Sequence, residues 1–109
     1  MVEFIASGSP KSLSRAIEEF ATSDGHVTAI VVPWESQGGI VSMAVTSVKS
    51  DGWAIEHTNL GTITLSDRGH DVTGITIAPD EPEPLERQQQ LALFDRFARQ
   101  VHARFAVDA

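Results

Sequence analysis

The chain has 109 residues, 41% hydrophobic and 21% charged, which suits one domain with one core. Fifteen acids against eight bases leave a formal net charge of −7, which argues against nucleic acid and anionic membrane surfaces, since both are bound by clustered Lys and Arg. Cysteine is absent, so no disulfide, thiolate metal site or cysteine nucleophile can form.

Val2 to Ala6 predicts a short strand. Ser9-Pro10 then opens a helix, because a serine oxygen caps the free N–H groups of the first turn and proline suits the first helical position. Leu13, Ala16, Ile17, Phe20 and Ala21 recur at helical spacing, and Asp24-Gly25 stops the run, glycine being free to adopt the left-handed conformation. His26 to Val32 is apolar on both faces and predicts a well-covered strand, ended by Pro33; Glu35 to Gly39 reads as a turn. Ile40 to Val48 alternates Val41, Met43 and Val45 with Ser42, Ala44 and Thr46, and Lys49-Ser50-Asp51-Gly52 predicts a tight hairpin turn. The returning strand, Trp53 to His57, puts Trp53, Ile55 and His57 on one face. Thr58-Asn59 reads as a turn or bulge before a strand from Leu60 to Leu65. Asp67-Arg68-Gly69-His70 is a second hairpin turn, followed by a strand from Val72 to Ala78.

A rigid acidic connector, Asp80 to Pro84, feeds a C-terminal helix from Pro84 to Ala106, about 35 Å long if unbroken. Leu91, Phe94, Phe97, Ala98, Val101 and Phe105 share one face of it and need an apolar partner. The alternating strands supply one: Val41, Met43, Val45, Trp53, Ile55, Ile63, Leu65, Ile75 and Ile77 on one face, with a Thr-rich, wet face opposite. The expected fold is α+β: an antiparallel sheet of about five or six strands, with an N-terminal helix and a long C-terminal helix packed on one face. The start of the chain lacks the basic and apolar regions of a signal peptide, and no stretch reaches transmembrane length, so a soluble, cytoplasmic protein is expected.

This order of elements resembles the START-like helix-grip superfamily, which includes pollen-allergen-like, polyketide-cyclase-like and lipid-transfer proteins. The stretch from Trp53 to Leu65, the Asp67–His70 turn and Val72 to Ile77 look like the paired late strands of that group, in a shortened form without its usual additional short helix. The resemblance implies an apolar pocket between the sheet and the last helix. The order is also similar to that of small acidic dimeric chaperones of secretion systems, which usually have a helix splitting the strands; no helical segment is found between Gly39 and Pro79.

In the pocket reading, Trp53, Ile55, His57, Met43, Phe94 and Phe97 line a site for an apolar or amphipathic ligand, with Arg87 and Gln90 at its mouth. His57 would hold the ligand's polar end or act as an acid or base; the alternative is a half-buried histidine bonded to backbone. Met43 also reads as core filler, and Arg87 as part of a frayed first turn. His26, His70 and His102 have no metal-ligand spacing, and neither Ser7-Gly8-Ser9 nor Gly38-Gly39 has a phosphate-loop context, so no metal, cofactor or catalytic residue is expected. The competing reading is a non-catalytic interaction protein, such as a homodimer, that uses a sheet edge or an exposed Trp34; a core completed by a second subunit is a further alternative.

Overall fold

In a computed structural model, residues 2–51, 54–79 and 87–107 are described; for 49–51, 54–58 and 87–90 the description is of the backbone. Five strands form one antiparallel sheet: β1 (Val2–Ser7), β2 (Val27–Val31), β3 (Ile40–Asp51), β4 (Ala54–Gly69) and β5 (Val72–Pro79). Helix α1 (Pro10–Asp24) joins β1 to β2, and helix α2 (Arg87–Phe105) follows β5. The spatial order is β1-β5-β4-β3-β2, so the β3–β5 meander lies between the first two strands. A 15-residue helix is about 22 Å long, enough to cross the roughly 19 Å between strands four places apart.

Helix α1 begins and ends where its local chemistry dictates. The Ser9 side chain accepts a hydrogen bond from the Ser12 N–H at 3.2 Å, with Pro10 in the first turn. Gly25 closes the helix at φ 79°, its N–H donating to the Ala21 carbonyl. The α2 span is 19 residues, about 28 Å; the acidic connector from Asp80 and the expected helix start at Pro84 lie outside the described residues.

Both helices pack on one face of the sheet. Ile17 and Ala21 of α1 and Phe94, Phe97, Ala98 and Val101 of α2 join Met43, Val45, Ile63, Leu65, Ile75 and Ile77 in a single buried core. Leu91, expected on the buried face of α2, is instead 37% exposed. Thr73 is fully buried within this layer and is satisfied by donating its hydroxyl to the Gly8 carbonyl at 2.7 Å.

Three features depart from the alternation read in the sequence. The segments before and after Thr58-Asn59 are one strand, β4, with a bulge: Val45 pairs with Gly61 and Thr46 with Asn59, leaving Leu60 as the extra residue. The second hairpin turn lies two residues later than expected, with His70 and Asp71 at φ 54° and 58°, both left-handed as a type I′ turn requires. Finally, β2 is an edge strand covered on one face only, and Ile30 is 56% exposed.

Candidate functional site

Of the residues expected to line a pocket, the structure brings Met43, Phe94 and Phe97 together as close-packed core. Phe94 rests on the backbone of Gly61: a Cβ there would stand 2.5 Å from its ring and against the Ala78 carbonyl. Ile55 and His57 pair with Ser50 and Val48, on a two-stranded ribbon of β3 and β4 beyond the last partners of β2 and β5. The bulge at Leu60 shifts their parity: Val48 and Ser50 alternate with the positions of Met43 and Val45 along β3. Arg87 is the first residue of α2; Trp53 lies outside the described residues, as do the side chains of Ile55, His57, Arg87 and Gln90.

The exposed apolar side chains are concentrated elsewhere. The sheet face opposite the helices carries Ile5 on β1; Gly74, Thr76 and Ala78 on β5; Thr62, Thr64 and Ser66 on β4; Ser42, Ala44 and Thr46 on β3; and Thr28 and Ile30 on β2, with Ile40 at one end. Ile5 is 51% exposed and Ile30 56%. Across this face the strands contribute one acid, Glu3, and one base, Arg68, which lies over Gly74. The charged side chains of the helices lie on the other side of the molecule, where Asp24 bonds Arg96 at 3.2 Å and Asp95 bonds Arg99.

Between β2 and β3, at a corner of the sheet, stands Trp34, 78% exposed on a 3-10 turn, Pro33–Glu35. The turn is pinned from three sides. Ser36 Oγ donates to the Val32 carbonyl at 2.8 Å, the Ser42 N–H donates to Ser36 Oγ at 3.0 Å, and Ser42 Oγ donates to the Glu35 carboxylate at 3.4 Å. A large indole is thus held in water on a fixed backbone, the arrangement of an interface anchor. The sequence named Trp34, but Ile5 and Ile30 were missed because only strand order shows that their strands are edges with one face bare.

A shallow groove also separates the helices, lined by Phe20, Ser23 and Asp24 of α1 and Gln100, Ala103 and Arg104 of α2. Gln100 Oε1 is buried there without a hydrogen-bond donor. Among the described residues, no cluster of three or more His, Asp or Glu is placed to hold a metal ion, and no helix is long and apolar enough to cross a membrane. Comparison of the chain with protein-family models, curated proteins and solved structures found no match.

Proposed function

We propose that this chain is a non-catalytic protein–protein interaction module that associates with a second copy of itself through the open sheet face, anchored by Trp34. The observation that carries this reading is Trp34, 78% exposed on a turn fixed by Ser36 and Ser42. Charge selects the partner. Two chains of net charge −7 repel unless they meet where that charge is sparse. On the open face the strands contribute one acid, Glu3, and one base, Arg68, and the only further acid placed there among the described residues is Glu35 at the corner, bonded to Ser42. Area is compatible. Strands about 4.8 Å apart, from about 17 Å long at β2 to about 27 Å at β5, offer on the order of 550 Å², to be set against the ~800 Å² per partner of a stable interface before Trp34 is added.

The test is equilibrium sedimentation of the native chain and of Trp34→Ala. Loss of an anchor of this type costs about 2 kcal/mol or more, so the dimer dissociation constant should rise about 30-fold. An unchanged constant contradicts the reading.

A second reading follows from α2 lying across the sheet, the arrangement a helix-grip protein needs to hold a ligand. It ranks lower because such a ligand would have to displace Met43, Phe94 or Phe97, all of which are buried. Native mass spectrometry separates the two: added mass lost on denaturation favours the ligand, and a bare dimer favours the interface.

A further inference from the structure

The sheet has two edges, and among the described residues only the β1 edge carries an added segment of chain. After α2, the Ala106 N–H still donates to the His102 carbonyl at 2.9 Å, and Ala106 forms an antiparallel bridge with Ala6. The next residue, Val107, donates its N–H to the Ile5 carbonyl at 2.8 Å. Gly8 donates to Asp71, beside β5, so the even-numbered residues of this stretch bond inward and Glu3, Ile5 and Ser7 turn their N–H and C=O groups outward. Val107 therefore occupies the middle of the three outward positions.

We propose that the segment Ala106–Val107 is a strap that closes the β1 edge against addition of a further strand. The strand it excludes is β1 of a second copy. Paired antiparallel about Ile5, two such strands would set Ile5 against Ile5 and each Glu3 against the other copy's Ser7. Every outward group would then be bonded, with no like charges opposed. An edge of this kind, uncharged at its centre and carrying a half-exposed isoleucine, is a template for open-ended association unless it is covered. The strap thereby leaves the open face as the surface for self-association. In this respect it builds on the interface proposed above, but the contact itself is independent of it.

The test uses the full chain in a Trp34→Ala background, so that the proposed face-to-face contact is weakened in every sample. Val107→Pro removes the N–H that reaches Ile5, whereas Val107→Ala keeps it. Light scattering over a concentration series should show the proline variant climbing to about double the mass of the alanine variant or beyond. In parallel, hydrogen exchange of the otherwise unaltered chain should show the Val107 amide protected. Equal masses for the folded proline and alanine variants overturn the strap. So does a Val107 amide that exchanges as fast as in a free peptide, a readout that holds even if the proline variant fails to fold. Failure of the Trp34 interface would appear separately, as one mass shared by the Trp34→Ala and native chains.

Discussion

At the scale of single residues, two positions in β4 and β5 set how closely the layers approach. Gly61 lets the ring of Phe94 sit directly on the sheet, and no side chain fits between them. Gly61→Ala should therefore cost on the order of 1–3 kcal/mol, because the Ala78 backbone on one side cannot yield as a flexible side chain would. Urea unfolding checks this, and a variant as stable as the native chain would show that Phe94 moves aside freely. Thr73 is the polar counterpart: buried among apolar side chains, it is tolerated because its hydroxyl reaches the Gly8 carbonyl. Thr73→Val keeps the shape and removes the donor, at a cost of about 1 kcal/mol, and Thr73→Ser should restore the bond.

At the scale of elements, α2 is held by its buried stripe. Phe97→Ala should destabilise by about 3–5 kcal/mol, since Phe97 is fully buried among Phe20 and the sheet. Leu91→Ala on the exposed side should stay within about 0.5 kcal/mol. Thermal unfolding of the two variants side by side measures the contrast. Helix α1 was legible in the sequence to the residue, because Ser9, Pro10 and Gly25 act on their own backbone and need no distant partner. The buried faces of β3 and β5 were legible for a similar reason: their alternation is unbroken over Val41–Val45 and Thr73–Ile77. What failed was whatever depends on a neighbour. One extra residue at Leu60 reverses the parity of everything before it in β4, so His57 and Ile55 could not be assigned to the core face by counting back from Ile63. The bare face of β2 was hidden because Val27 to Val32 is apolar at every position but Thr28, a composition shared by strands covered on both faces.

At the scale of the whole molecule, the two sides of the sheet are chemically unlike. The helical side buries the core and carries ion pairs such as Asp24–Arg96; the other side is nearly uncharged, rich in Thr, Ser and Ala, and flanked by Ile5, Ile30 and Trp34. An acidic chain that keeps one broad face almost free of charge has a surface on which a second copy can lie without repulsion, and a self-complementary pair of this kind has twofold symmetry. Thr64 stands at the middle of that face, paired with Ser42 and Thr76. Placing a carboxylate there would bury two like charges across the twofold contact while leaving the core untouched. The most direct measurement is the solution mass of the native chain beside that of Thr64→Glu, at matched concentration. A self-association surface on the open face predicts twice the 11.8 kDa of one chain for the native protein and a single chain's mass for the variant. A native chain of 11.8 kDa at every concentration, or a Thr64→Glu variant that still pairs, would contradict it.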